Sequence, residues 1–430
     1  MAGPGEQASW PTGRESIVLV GFGVESILAG LTPPLPENSV LLVEEPEVAR
    51  QRGLHELAAT MPMVSRLVEC PYQLAGALPD VLSGGDLRPV AAVVPAMEYA
   101  VQAAADAAAR LGLPGAGHQA AAAFRDKHLL RQVAHQAGLR NPRHALVTSP
   151  AQTKEFLAQT GGRCVLKPTA RQGSLGVQFV ESAADIDASW AAASHPVGGV
   201  AIPARGIPSQ VLIEEAVTGP EFSVELLIAD RVACFANVTA KHVFAGRFPV
   251  EQGHDVPAPL PAGDTKLLVD VTATLAKAAG MGDGILHAEW ILHDGEPVLV
   301  ECAARLPGGR ITRLISLAYD FPLINAYLDV LLGRTPATPL AATGGAAVRY
   351  LTAPPGTLTA VTGTDEAAAM PGVTDVRLLA QPGDEVKPLT LAGSRLGFVI
   401  AQADTPTQAA HRANAALAHI HLTTKPSPTA

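Results

Sequence analysis

The chain has 430 residues, 48% hydrophobic and 17% charged, which is enough for two to four domains with large buried cores. Its formal net charge of −9 argues against a nucleic-acid partner, which would need a basic face. Four widely spaced cysteines without a CxxC pair exclude an obvious zinc site and fit a reducing compartment. No signal-peptide core and no uninterrupted apolar span are found, so we expect a cytoplasmic protein with no membrane partner.

The N-terminal region predicts an open α/β sheet. Three apolar segments, 16–23, 39–46 and 89–96, have the pattern of buried parallel strands, and helical stretches separate them. The turn GFGVES resembles a dinucleotide-binding fingerprint, but Ser26 stands where the third glycine belongs. A single imperfect match is weak evidence for a nucleotide site there.

From Arg163 onward the pattern changes to hairpins, which predicts antiparallel sheet. A Pro/Thr/Gly-rich stretch after Arg334 leads into a small C-terminal α/β segment. We therefore expect a multidomain protein of mixed α/β and α+β class. The predicted divisions are a disordered N-terminus (1–15), an open α/β domain (16–114), a central subdomain with a glycine-rich loop (115–205), an antiparallel subdomain with a metal site (206–335), a C-terminal α/β subdomain (336–420) and a tail (421–430).

The stretch KPTARQGSLG suggests a mobile phosphate-binding loop. Lys167 ends an apolar strand and offers an ammonium group, while Gly173 and Gly176 let the backbone amides approach an anion closely. Ser174 adds a hydroxyl group. The order differs from a Walker loop, in which the lysine follows the glycines. The alternative is an ordinary surface hairpin with an exposed Lys167.

Two glutamates on a predicted hairpin indicate a metal site. With a three-residue loop at 294–296, Glu289 lies opposite Glu301, and like charges in that position destabilise a sheet. A divalent cation between them resolves the repulsion, and oxygen ligands suit magnesium better than zinc. A two-residue loop would shift the register by one. His287 and Arg305 share the same face if the alternation holds; the alternative is a pair of solvated glutamates.

The segment VLIEEAVTGPEFSVE has the character of a strand that presents backbone groups to an adenine edge, followed by a carboxylate for ribose hydroxyls. By spacing alone this signal is weak. An edge strand with solvated acidic residues is the alternative.

In their joint order these motifs resemble the ATP-grasp superfamily, whose members activate a carboxylate as an acyl phosphate. The resemblance covers roughly 115–333, and the flanking α/β segments fit that family's preceding domain and C-terminal addition. It implies ATP and Mg²⁺, or Mn²⁺, as cofactors. The implied sites are Lys127 and Lys167 for the phosphates, Gly173, Ser174 and Gly176 in the lid, Glu214 and Val217 at the adenine hinge, Glu221 at the ribose, and Glu289 and Glu301 for the metal.

Within that superfamily the chain is most similar to the L-amino acid ligases, which make dipeptides. The similarity places His254 at the substrate site, and Arg305 with Gly308 and Gly309 where the substrate carboxylate and the tetrahedral intermediate are held. One departure is Ala303, since many ATP-grasp enzymes have asparagine there. The resemblance implies ATP-dependent ligation of a small-molecule carboxylate to an amine, with amino acids as substrates, in a biosynthetic homodimer.

Two other functions compete with ligation of amino acids. One is a different ATP-grasp activity, such as a carboxylase or a purine-type ligase, which would need a biotin partner or an additional basic pocket. The other is a non-catalytic nucleotide-binding regulatory module, which predicts loss of a phosphate lysine or a metal glutamate. All four of those residues are present, and Ala303 is the feature that keeps the regulatory interpretation open.

Overall fold

The computed structural model of the chain describes residues 10, 15–23, 27–84, 87–195, 205, 210–244 and 248–426. The predicted disordered N-terminus lies outside these residues except for Trp10 and Glu15, and Ser26 of the GFGVES turn lies outside them as well. Trp10 is buried, and its indole N–H donates a hydrogen bond to the Pro33 carbonyl at 3.2 Å.

The N-terminal region contains a four-stranded parallel sheet, as predicted. Its strands are β1 (Ser16–Val20), β2 (Val40–Glu44), β3 (Val64–Glu69) and β4 (Val90–Pro95), in the order β3-β2-β1-β4. The accompanying helices are α1 (Pro46–Gln51), α2 (Leu54–Ala59), α3 (Ala77–Leu82) and α4 (Val101–Leu111). Strand β3 escapes prediction because it is an edge strand whose residues are partly or fully exposed, so it lacks an apolar run.

The glycines of the GFGVES turn are explained by close packing. A Cβ atom on Gly21 would lie 2.5 Å from the Met97 side chain, and one on Gly23 would lie 2.1 Å from the Ala96 carbonyl oxygen. Real Cβ atoms cannot approach so closely. These two glycines therefore let the turn pack against the end of β4, which accounts for them without a dinucleotide.

The central region forms a four-stranded sheet, here called the lid sheet. Its strands are β5 (His144–Val147), β6 (Cys164–Pro168), β7 (Gln178–Val180) and β8 (Val211–Glu215), in the order β5-β8-β6-β7 with antiparallel pairing. Its helices and the two that precede it are α5 (His118–Arg125), α6 (Lys127–Gln136), α7 (Pro150–Thr160) and α8 (Ile186–Ser194). The β6–β7 hairpin carries the glycine-rich loop between its strands.

An eight-stranded antiparallel sheet, here called the large sheet, forms the rest of the molecular core. The elements from β9 to α11 are β9 (Glu221–Ala229), β10 (Val232–Val243), β11 (Glu251–Val256), α9 (Ala262–Ala278), β12 (Gly284–His293), β13 (Glu296–Ala303), α10 (Ile311–Tyr319) and α11 (Leu323–Leu331). The fully buried Trp290 on β12 donates from its indole N–H to the Thr272 hydroxyl of α9 at 2.9 Å, which ties this helix to the sheet.

The C-terminal segment extends the large sheet instead of forming a separate layer. Its elements are β14 (Gly345–Leu351), β15 (Gly356–Thr362), α12 (Thr364–Ala368), β16 (Val373–Leu378), β17 (Glu385–Val386), β18 (Gly397–Ala403), α13 (Pro406–His419) and β19 (His421–Lys425). The large sheet runs β13-β12-β9-β10-β11-β14-β18-β16, and β15 forms a small sheet with β17 and β19. The predicted tail at 421–430 is thus wrong for its first half: alternate residues of β19 are half-buried where it pairs with β15.

None of the helices in the described ranges is both long and apolar enough to cross a membrane. The one helix pair that reaches that length and composition together, α10 and α11, is bent by 106°.

Candidate active site

A cavity of about 410 Å³ lies between the lid sheet and the large sheet, with the C-terminal segment at one end. It brings together all but one of the residues selected from the sequence. Those lining it are Lys127, Lys167, Gly173, Ser174, Glu214, Val217, Glu221, His254, Glu289, Glu301, Arg305, Gly308 and Gly309. Gly176 belongs to the same loop as Gly173 but does not line the cavity.

The two glutamates of the β12–β13 hairpin face each other across the pair, but not for the reason predicted from spacing. The turn has two residues, Asp294 and Gly295, because His293 pairs with Glu296. That turn alone would shift the register by one. A β-bulge at Val300 restores it, so Glu289 pairs with Glu301.

Each of these carboxylates is held by a buried lysine. The Lys241 ammonium lies 2.8 Å from Glu289 Oε1, and the Lys127 ammonium lies 2.8 Å from Glu301 Oε1. Burial would raise the pKa of Glu289, but Lys241 and His287 outweigh it and hold that pKa well below its ordinary value. Glu289 is therefore ionised at neutral pH and available as an oxygen ligand. Both carboxylates line the cavity and each contacts a buried lysine, so the alternative of a solvated surface pair does not fit.

The donor set fits a hard divalent cation only in part. Both glutamates offer carboxylate oxygens, which Mg²⁺ prefers. In the described ranges no three His, Cys, Asp or Glu side chains converge as a metal site, and Ala303 contributes no side-chain donor. The protein thus supplies two carboxylate ligands, and a cation there would complete its shell with oxygens from a ligand or water.

A buried cluster of charged side chains connects the lid sheet to the β12–β13 hairpin. Glu214 accepts a hydrogen bond from Arg131 Nε at 2.7 Å and lies 2.5 Å from the Lys167 ammonium. Arg131 also donates to the Val300 carbonyl at 2.7 Å, next to Glu301. Burial would raise the pKa of Glu214, but Arg131 and Lys167 outweigh it and lower it to about 2. Two cations and one carboxylate give this cluster a net positive charge, and Lys167 is the cation of the cluster that lines the cavity.

The glycine-rich loop closes over one wall of the cavity. Lys127 Nζ donates to the Arg171 carbonyl at 2.8 Å, which links the predicted phosphate lysine directly to the loop backbone. Gly173 and Ser174 adopt left-handed φ angles of 63° and 60°. Lys167 is only 6% exposed, so the alternative of a surface hairpin with a solvated lysine is wrong.

The predicted adenine hinge lies where β8 ends. Strand β8 is central, paired on both sides with β5 and β6, so the alternative of an edge strand with solvated acids is wrong for Glu214. The backbone amides of Glu215 and Ala216 donate to the Arg143 and Arg163 carbonyls. Val217 follows this last pairing and lines the cavity, whereas the Glu214 backbone is paired within the sheet with His144 and Val165.

Glu221, the predicted ribose ligand, pairs with Lys241 at 2.5 Å. Burial raises the pKa of Glu221, since Lys241 offsets it only in part and Glu289 adds to it. The same two carboxylates raise the pKa of the Lys241 ammonium well above its ordinary value, although burial acts in the opposite direction. Lys241 is therefore the central cation of this wall, and it lies near the end of β10.

His254 lies on β11 and is 1% exposed. Neither of its ring nitrogens makes a hydrogen bond within the described residues. Burial, with the cations Lys241 and Arg395 nearby, lowers the pKa of the imidazole well below its ordinary value. His254 is thus neutral, with one free donor and one free acceptor at the cavity wall.

Arg305 follows β13 and differs in its contacts from the prediction. Its Nε donates to Glu98 Oε2 at 2.7 Å, and Glu98 also accepts from Arg125 Nη1 at 3.0 Å. Arg305 therefore bridges the N-terminal domain to the cavity, and its remaining guanidinium N–H groups are left for other partners, one of them the Leu306 carbonyl. Glu98 was not selected from the sequence because its partners lie far away in the chain.

His287, which the sequence predicted on the same face as Glu289, belongs to a second buried network whose other members were not selected from the sequence. His287 Nδ1 lies 2.9 Å from Glu225 Oε1, and Glu225 accepts further hydrogen bonds from Ser223, Asn237 and Thr239. On its other side, His287 Nε2 lies 3.3 Å from Glu289. These residues occupy three adjacent strands, β12, β9 and β10, and only the strand order brings them together. Through His287, this network holds the Glu289 carboxylate in a fixed orientation.

Two family models match the chain. Residues 161–313 match the ATP-grasp domain, and residues 349–425 match the L-amino acid ligase C-terminal domain 2. Among solved structures, the L-amino acid ligase from Bacillus licheniformis covers 96% of this chain and 99% of its own, with a TM-score of 0.73 and 19% identity. The predicted ATP-grasp fold is confirmed by these matches.

Curated relatives match over shorter stretches. An uncharacterised protein, y4rH, of Sinorhizobium fredii is 30% identical over 69% of this chain and 60% of its own length. The alanine–anticapsin ligase of Bacillus subtilis is 26% identical over 53% of this chain and 51% of its own length. The chain thus spans between half and two thirds of these relatives. Both family models match in order along one chain, which supports the L-amino acid ligase family of the ATP-grasp superfamily.

Proposed function

We propose that the protein is an ATP-dependent carboxylate–amine ligase that forms a dipeptide-type amide bond and releases ADP and phosphate. The observation that supports it most directly is one cavity lined by two chemically distinct sets of side chains. One set is the carboxylate pair Glu289 and Glu301 with buried lysines, and the other is His254 and Arg305. This arrangement suits phosphoryl transfer beside an acyl acceptor site.

The first step is transfer of the γ-phosphoryl group of ATP to the substrate carboxylate. A carboxylate oxygen attacks phosphorus and ADP leaves, which gives an acyl phosphate. We assign neutralisation of the phosphate charge to Lys127 and Lys167, because both ammonium groups belong to residues that line the cavity. The loop around Gly173 covers the phosphates and excludes water, because hydrolysis of the acyl phosphate would be the competing reaction.

Magnesium is the metal that we propose for Glu289 and Glu301. When bound, it would neutralise the phosphate oxygens and help to orient them for in-line transfer. The lysines that hold the two carboxylates, Lys241 and Lys127, set their orientation before any cation arrives. Manganese has the same preference for oxygen ligands.

The second step is attack of the amine on the acyl phosphate. Nitrogen forms the new bond to carbon, phosphate leaves, and the amine loses a proton. We assign stabilisation of the oxyanion to the Arg305 guanidinium and the backbone amides of Gly308 and Gly309, since all three residues line the cavity. Neutral His254, with an unpaired ring nitrogen, is a suitable acceptor for the amine proton.

The experiment is phosphate release from ATP and Mg²⁺ across a matrix of L-amino acid pairs, with mass spectrometry of the products. We expect release only with particular pairs and a product lighter than their sum by one water. Glu301→Gln should abolish it, whereas Glu296→Gln, at an exposed position on the same strand, should not. Release with bicarbonate alone would favour a carboxylase. ATP binding without turnover in any combination would favour the regulatory module.

The predicted homodimer and the cytoplasmic location remain predictions. Amino acids as the two substrates are part of this proposal.

A further inference from the structure

One end of the cavity has buried polar atoms without hydrogen-bond partners: His254 and Arg395 line the cavity, and the Tyr350 ring packs against both of them. His254 Nδ1 and Nε2, Tyr350 Oη and Arg395 Nη1 are all buried and make no hydrogen bond of proper geometry within the described residues. Such atoms are costly to bury unpaired, and natural proteins rarely leave several of them side by side. Their concentration at a cavity end indicates a site that a bound ligand completes.

His254 and Tyr350 are held in place by two paired strands, and Arg395 lies just before β18. His254 of β11 pairs with Val348 of β14, two residues before Tyr350, and the two rings lie 6.1 Å apart edge to face. The Arg395 guanidinium lies 3.7 Å above the Tyr350 ring, and its Nε donates to the Ala392 carbonyl at 2.8 Å. Arg395 and Tyr350 both belong to the C-terminal segment, so this part of the chain builds the end wall.

The charge at this end is positive. Glu251 Oε2 forms an ion pair with Arg395 Nη1 at 3.5 Å, without a hydrogen bond, and is the one carboxylate paired with Arg395 in the described ranges. Arg310 stacks on Phe398 at 4.4 Å and forms no ion pair with any carboxylate in the described ranges. Burial raises the pKa of Tyr350 to about 12, so its hydroxyl stays a hydrogen-bond donor. A guanidinium group beside a phenol hydroxyl group provides the hydrogen-bond donors that a carboxylate accepts.

The position of this end relative to the acyl site identifies which substrate group reaches it. A Cβ atom on Gly309 would lie 2.4 Å from His254 Nε2 and 3.4 Å from Tyr350 Oη, so the end wall adjoins the proposed acyl site. The lysine and glutamate wall serves the phosphates and the carboxylate that receives one. An anion beyond His254 therefore belongs to the incoming amine.

We propose that Arg395 and Tyr350 of the C-terminal segment bind the carboxylate of the amine substrate, an inference that rests on the proposed ligase function. The C-terminal domain then determines which amines are accepted: those with a free carboxylate at the distance of an amino acid. We call Arg395 and Tyr350 the anchor. In this proposal His254 lies between the anchor and the reacting nitrogen.

The first test compares amine substrates that differ only in the carboxylate. Each proteinogenic L-amino acid and its carboxamide are offered to the wild-type enzyme with ATP, Mg²⁺ and the accepted carboxylate substrate. We expect kcat/KM for the best acceptor to fall roughly 30-fold or more when its carboxylate becomes an amide, because a charged, buried hydrogen-bond pair is lost. Equal use of amide and acid would overturn the proposal, and this comparison needs no variant to fold.

The second test removes the anchor. In Arg395→Gln we expect kcat/KM for the free amino acid to fall by a similar factor through KM, while the carboxamide is used as well as by the wild type. Tyr350→Phe keeps the ring beneath the guanidinium and should give a smaller loss of the same kind. Arg377→Gln, which removes an exposed arginine of β16, is the matched control and should change neither substrate. An equal loss for acid and amide in Arg395→Gln would contradict the assignment.

Hydroxylamine separates this proposal from the function on which it rests. It traps an acyl phosphate as a hydroxamate and has no carboxylate, so it does not need the anchor. Hydroxamate formation that is normal in Arg395→Gln, with impaired amino acid ligation, is the expected result. Absence of hydroxamate with every acid in the wild type would refute the ligase function itself, whereas a matching loss of hydroxamate in Arg395→Gln would refute only the role of the anchor.

Discussion

Glu214 is the residue whose neutralisation should be most costly to the stability of this protein. It lies 4% exposed between Arg131 and Lys167, and its pKa of about 2 compares with an ordinary 4.5. Each pKa unit corresponds to about 1.4 kcal/mol, so ionised Glu214 contributes about 3 kcal/mol to the free energy of unfolding at neutral pH. Because this pKa is lowered by folding, the contribution is present above pH 4.5 and is lost as the pH falls through 2.

Glu214→Gln leaves two buried cations without their anion, a change that typically costs about 3–5 kcal/mol. We expect the lower end of that range, because burial already lowers the pKa of Lys167, which can release a proton in response. Equilibrium urea unfolding at pH 7, followed by tryptophan fluorescence, measures the difference. The control is Glu215→Gln, whose carboxylate accepts only from the Arg143 amide among the described residues and should cost less than about 1 kcal/mol. A loss below about 1 kcal/mol for Glu214→Gln would refute the reasoning.

Three further predictions concern other parts of the chain. Burial raises the pKa of Glu44 to about 7, so its contribution to stability is present below pH 4.5 and lost as the pH rises through 7. In urea titrations Glu44→Gln should remove about 2 kcal/mol of the decline between pH 5 and 8, and an unchanged decline would contradict this. Gly309→Ala introduces a Cβ 2.4 Å from His254 Nε2 at a φ of 59° and should lower kcat/KM roughly tenfold or more, with unaltered activity as the opposing result. Trp290→Phe removes the hydrogen bond to Thr272 and leaves a void, so thermal unfolding should show a loss of about 2 kcal/mol, and an unchanged melting temperature would count against it.

The local sequence pattern predicts the pairing of the two glutamates but not the turn that produces it. Glu289 and Glu301 were correctly placed opposite each other, but through a three-residue turn that does not exist. The two-residue turn and the bulge at Val300 shift the register in opposite directions, and their effects cancel. A bulge has no reliable sequence signal, because it depends on how the strand packs against its neighbours.

Residues that depend on strand order could not be found in this way. Lys241 contacts Glu289 because the strand order places β10 and β12 on either side of the same strand, β9. Arg395 lies at the cavity because β14 and β18 continue the large sheet. No local spacing encodes either neighbourhood. By contrast, Lys127, Lys167 and the glycine-rich loop stand at element boundaries, which local patterns do indicate.

The continuity of the large sheet has a consequence for how the enzyme opens. The glutamate hairpin at one edge and the C-terminal strands beyond β11 are joined by an unbroken ladder of backbone hydrogen bonds. A hydrogen-bonded sheet bends little, so the architecture sets the spacing between the proposed metal ligands and the wall that carries Tyr350. The lid sheet shares no strand with that ladder, so in the proposed ligase a displacement of the lid sheet can admit nucleotide without changing this spacing. Nucleotide access would then depend on the lid sheet, and the alignment of the reacting groups on the large sheet.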